Sequence, residues 1–216
     1  MKSFCIKVGG ILIIFGVAFF LLMLPDLKTL LTEPVDICAE ELTDVSQLQK
    51  GLSVETDMPY LLERFVTVET RHQDQGGKTT KVETNGYYTL PVYIDDEIYY
   101  IAYESDPENP VGRLVDYYAR PTKLEPNAEM GKPIYVRGGL HKLGDEEYEY
   151  MLKWFDEKDW FFNVSPEKYV LPVVLKPIDE ANVYFITKLC GGAVALGLVL
   201  VLVGNLGRKK KKEEEA

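Results

Sequence analysis

The chain has 216 residues, 46% of them hydrophobic and 27% charged, with a formal net charge of -10. The acid is concentrated: residues 25–187 hold 31 Asp and Glu against 16 Lys and Arg, a net of -15, while the tails carry Lys2 and Lys7 at one end and Arg208 with Lys209, Lys210, Lys211 and Lys212 at the other. Such a middle excludes nucleic acid as its partner, because a phosphate backbone is bound by clustered Lys and Arg, and three cysteines dispersed as Cys5, Cys38 and Cys190 exclude a disulfide framework.

Residues 8–24 read VGGILIIFGVAFFLLML without a charge, and at about 1.5 Å per residue they span roughly 25 Å. This predicts a first membrane-spanning helix over 8–24, preceded by a cytoplasmic N-terminus at 1–7. The run ends Leu22-Met23-Leu24-Pro25-Asp26, without the small-residue site that a signal peptidase needs. The expectation is therefore an uncleaved signal anchor.

Residues 25–50 read as a connector with room for a short helix, and 51–182 as a folded extracytoplasmic domain. Strands are predicted over 60–71, 87–94 and 98–104, where Val, Ile, Thr, Tyr and Phe gather. The last two flank Asp95-Asp96-Glu97 as a hairpin turn. Apolar side chains occupy both faces of that hairpin: Leu90, Val92 and Ile94 on one strand, and Tyr99, Ile101 and Tyr103 alternating with Ile98, Tyr100 and Ala102 on the other. A barrel or a sheet covered on both sides meets that requirement.

Asn109 and Pro110 form a cap and first turn, and Val111, Leu114, Val115 and Tyr118 follow at helical spacing. A strand over 134–143 contains Gly138-Gly139, read as a bulge or tight bend. Asp145 opens a second amphipathic helix through Tyr148, Met151, Leu152 and Phe155, and 170–175 reads as a strand that would close a barrel.

A second membrane-spanning helix is predicted over 183–206, followed by a cytoplasmic Lys-rich tail at 207–216. Lys-rich tails stay inside while long loops cross regardless of charge, so both termini are expected in the cytoplasm of a two-span protein of the cell membrane. Lys188 lies shallow enough in this run to extend its ammonium to the interface, beside Tyr184 and Phe185. Ala193 and Gly197 form a small-xxx-small pair that permits close packing on the first helix or on a second copy.

The fold class that results is α+β: a small β-barrel-like or covered antiparallel sheet with two amphipathic helices, flanked by N- and C-terminal transmembrane helices. In layout, two end helices around an acidic β-rich domain with a Lys-rich tail, the chain resembles the uncharacterised two-span membrane proteins common in Gram-positive bacteria. The resemblance covers the whole chain and carries over no functional residue.

Motifs for chemistry are sparse. Gly76-Gly77-Lys78-Thr79 has the end of a phosphate loop, but His72 stands where its first glycine belongs. His72 and His141 are the only histidines, and neither has zinc-spaced ligands around it. The acidic runs Asp95-Asp96-Glu97, Asp145-Glu146-Glu147 and Asp156-Glu157-Lys158-Asp159 lack the alternation and glycine of a calcium loop. Tyr99, Tyr100, Tyr103, Trp154, Trp160, Phe161 and Phe162 suit either a core or an exposed binding face. No residue is nominated as catalytic, cofactor-binding or metal-ligating, and no cofactor is expected.

The function expected from the sequence is a membrane-tethered extracytoplasmic domain that binds another envelope or membrane protein, or a second copy of itself. The alternative is a surface hydrolase using paired carboxylates or a metal. The lipid bilayer is the one partner that both readings share.

Overall fold

Apolar residues on both faces of the 87–104 hairpin need two coverings, and the computed structural model supplies them; it describes residues 2–39, 42–58, 61–73, 79–105 and 133–214. Two units separate, Met1–Leu31 with Asp179–Ala216 and Thr32–Ile178. The second unit is built on six strands: β1 Ser53–Met58, β2 Arg64–Gln73, β3 Thr79–Ile94, β4 Glu97–Ser105, β5 Ile134–Lys142 and β6 Val170–Pro177. Their order across the sheet is β1-β5-β6-β4-β3-β2.

This is α+β, but the sheet is open and mixed, which corrects the barrel-like expectation. β1 and β2 end the sheet on opposite sides, and β4 pairs with β6 in parallel while the other neighbours are antiparallel. β6 closes nothing; it lies between β5 and β4. Its composition explains the placement, since Val170 and Val174 pack on one side of the sheet while Leu171, Val173 and Leu175 pack on the other. A strand apolar on both faces is stable only in the interior of a doubly covered sheet.

The β3–β4 turn is two residues long. Asp95 and Asp96 have φ of 49° and 61°, and Glu97 already pairs with Ile94. Two consecutive left-handed residues make the turn whose twist matches a hairpin, and Asp tolerates that region better than most residues.

One face of the sheet is covered by the segment after Pro34, whose Ile37, Leu42 and Leu48 are buried against Leu90, Val92, Ile101 and Tyr103. A short 3-10 helix, Val45–Gln47, is fixed there by a reciprocal cap: Asp44 Oδ1 accepts from Ser46 N at 2.6 Å, and Gln47 Oε1 accepts from Asp44 N at 3.0 Å. The other face is covered by helix α2, Asp145–Glu157, through Met151, Trp154 and Phe155. Tyr148 Oη donates to Val170 O at 3.0 Å and ties this helix to β6. The helix expected from Asn109 lies outside the described residues.

Gly138 and Gly139 form no bulge. Both pair in regular register with β1 and with β6. The glycine is needed because the neighbouring backbone comes close: a Cβ on Gly138 would clash with Lys176 O.

The first unit consists of helix α1, Lys2–Leu31, and helix α3, Glu180–Glu214. α1 continues through Pro25, whose carbonyl accepts from Thr29 Oγ1 at 3.1 Å. Gly9 meets Gly197 and Val201, and Gly16 meets Val194 and Cys190, so the two helices run antiparallel. At Gly9 and Gly197 the backbones nearly touch, each lying where a Cβ on the other would be 2.6 Å from a carbonyl oxygen. Gly197 thus serves contact with α1, whereas Gly10, Gly191 and Gly192 face open space.

Candidate functional site

The sequence scatters its carboxylates, and the fold brings three of them to one place. Val35 adds a parallel bridge to Val54, with Val35 N donating to Ser53 O at 2.9 Å and Glu55 N donating to Val35 O at 3.2 Å. This lays Asp36 beside β1. Asp36, Glu55 and Asp57 then line a surface depression of about 360 Å³ together with Pro34, Thr56 and Tyr135.

Two of those carboxylates are already engaged. Asp36 Oδ1 accepts from Thr56 Oγ1 at 2.5 Å and from Cys38 N at 3.0 Å, and Glu55 pairs with Arg137 at 2.5 Å. The Thr56 contact fixes the loop to β1, and the Glu55–Arg137 pair ties β1 to β5. Burial pushes the Cys38 thiol up to about 11; a hydrogen bond with Thr56 opposes the shift and the Asp36 charge adds to it.

The thiol at Cys38 is therefore protonated at neutral pH and is a poor nucleophile. With Cys5 and Cys190 replaced, Cys38 in the folded chain is expected to react with iodoacetamide at pH 8 about 100-fold more slowly than in urea, since two pKa units mean a hundredfold less thiolate. Equal rates would remove this account. The sign for stability follows: the contribution of the neutral thiol is complete below pH 9 and is lost as pH rises from there toward about 11.

A second polar group lies on the α2 side of the sheet. Glu104 accepts from Asn85 Nδ2 at 2.8 Å and pairs with Lys176 at 2.5 Å, so that β3, β4 and β6 share one brace. Tyr87 nearby is held well above the ordinary phenol range, first by burial and then by the charges of Glu104 and Glu147.

Most of the nominated aromatic residues are core. Tyr100, Tyr103 and Trp154 are buried, and Tyr99, Trp160 and Phe161 are half-buried. Trp160 Nε1 donates to Tyr100 Oη at 3.0 Å, and Phe161 lies 5.1 Å from Phe155 and 5.3 Å from Tyr169 between ring centroids. Phe162 alone among the seven is fully outside, 78% exposed, on a turn where its φ is 30°.

The remaining candidates do not converge. His72 is on β2, at one end of the sheet, and His141 is on β5 with three strands between them. At about 4.8 Å per strand the two strands are roughly 19 Å apart, too far for the histidines to share one metal. Asp95 and Asp96 form the hairpin turn, Asp145 pairs with Lys142 at 2.7 Å, and Asp156 and Glu157 lie exposed at the end of α2. Gly76, Gly77 and Lys78 lie outside the described residues. Among the described residues no group of three or more His, Cys, Asp or Glu is arranged to hold a metal.

No curated protein and no solved structure matches the chain. The family model described as "Domain of unknown function (DUF8577)" matches residues 1–206, from the first long helix into the second, and the chain belongs to that family.

Proposed function

We propose that the chain is a two-span membrane protein whose middle domain stands outside the cytoplasm and binds another protein of the membrane or envelope. One observation carries the tether. Phe4–Leu31 and Glu180–Asn205 are long and apolar enough to cross a bilayer, and only 11% of each apolar window is buried. The core helix of a soluble protein would be mostly covered. Here Ile14, Phe15, Leu22, Leu189, Leu202 and Val203 all point outward, an arrangement that water penalises and hydrocarbon accepts.

The antiparallel glycine contact supports an orientation with both termini on one side, and the Lys-rich tail at that end favours the cytoplasm. Lys188, Tyr184 and Phe185 are exposed near the start of α3, which fits an interfacial belt. Alkaline carbonate is expected to leave the chain in the membrane pellet. Protease added outside intact cells stripped of their wall is expected to digest the middle and spare the tail. Release by carbonate would end the tether reading, and digestion only after lysis would reverse the orientation.

A binding role is favoured over catalysis by the condition of the acidic depression. A hydrolase would draw its acid and base from Asp36, Glu55 and Asp57, yet Asp36 is committed to Thr56 and Cys38 and Glu55 to Arg137.

A further inference from the structure

The two ends of the sheet are treated differently. At one end, the β1 edge receives Val35, which exchanges two backbone hydrogen bonds with it. At the other end, β2 has β3 on its inner side, and among the described residues no strand lies on its outer side. β2 is ten residues long, and its register with β3 is regular from Val66 to His72, between shifts at Arg64/Val66 and His72/Gln73. It contains neither Pro nor Lys, and the charges it does carry, Arg64, Glu69 and Arg71, are of both signs.

From this we infer that the outer edge of β2 pairs antiparallel with β2 of a second copy of the chain. The inference rests on the reading of the chain as a binding module and names its partner. Charge selects both the occupant and the register. A twofold axis that pairs two identical antiparallel strands keeps their faces, so only residues of equal parity can stand opposite one another. Centred on Thr70, the pairing sets Glu69 against the partner's Arg71 and, by symmetry, Arg71 against the partner's Glu69. Centred one residue earlier or later, it is Glu69 or Arg71 that meets its own copy.

Within one chain these two side chains share a face and form a solvent-exposed pair at 3.2 Å, with 52% and 66% of their surfaces accessible. They are therefore available to exchange partners. The strand is also locally free of the acidity that would drive two such domains apart: β2 holds Arg64 and Arg71 against Glu69, while residues 25–187 carry a net of -15. A seven-residue edge alone buries less than the roughly 1,200 Å² of a standard stable interface. Confinement of both copies to one membrane raises their effective concentration and offsets that weakness.

The test uses the full chain with its three cysteines replaced and Thr70→Cys introduced, oxidised with copper phenanthroline in membranes and in detergent micelles. Disulfide dimer is expected at Thr70→Cys and not at the exposed control Lys142→Cys. Glu69→Arg opposes two guanidinium groups and Arg71→Glu opposes two carboxylates; each is expected to cut the yield about tenfold, and the double exchange to restore it. Both sites are exposed, so folding is unaffected. Equal yields at the two cysteine positions, or no recovery in the double exchange, would overturn the pairing. Register-specific dimer in a chain that carbonate releases would instead sink the tether and leave the strand pairing standing.

Discussion

Phe155→Ala is expected to cost about 3–5 kcal/mol of stability, the range for deleting a fully buried aromatic ring. Phe155 has no accessible surface, and its ring centroid is 4.9 Å from Tyr100, 4.9 Å from Trp154 and 5.1 Å from Phe161. The ring joins α2 to β4 and to the turn that follows the helix, so its loss leaves a cavity that three separate backbones would have to close. Urea unfolding followed by tryptophan emission checks this directly, because both tryptophans, Trp154 and Trp160, touch the site. A domain of this size has only about 5–15 kcal/mol in total, so the midpoint shift is large. A loss below about 1 kcal/mol would show that α2 does not pack as described.

Gly138→Ala is the second large effect, through overpacking. The added methyl would clash with Lys176 O and lie 3.1 Å from Pro177 Cα. Those atoms are backbone and cannot rotate away, so β5 must part from β6 or shift along it. Overpacking of a tight site costs about 1–3 kcal/mol, and this position belongs at the upper end because Gly138 also pairs with Val54 in β1. The expected reading is a lower urea midpoint with an unchanged slope. A variant as stable as the parent would mean that the close approach is absent in solution.

These residues mark how far the sequence could be read. The 87–104 hairpin was legible because its signals are local: alternating apolar residues on both strands and an acidic pair between them, realised as Asp95 and Asp96 at positive φ. Helix α2 was legible from the spacing of Tyr148, Met151, Leu152 and Phe155. Strand order was not, because nothing near 170–175 announces that β6 lies parallel to β4, seventy residues earlier. Gly138 shows the same limit, since a glycine reads alike for a bulge and for a neighbour's approach. The acidic depression has no local signature, because Asp36 and Glu55 meet through the bridge of Val35 to Val54. The candidate edge at β2 was visible as a strand, and its position at the end of the sheet was not.

The glycine seam between α1 and α3 imposes an order of events on synthesis. Gly9 and Gly16 find their counterparts only after everything from Thr32 to Ile178 has been made, an interval of about 7–30 s at 5–20 residues per second. Throughout that interval α1 has no α3 to lie against, and the sheet itself waits for its inner strand β6, which is made last before α3 begins. Joining the two helices thus belongs to the last stage of assembly, and a substitution at Gly9 would act there, on a contact that no earlier part of the chain can make.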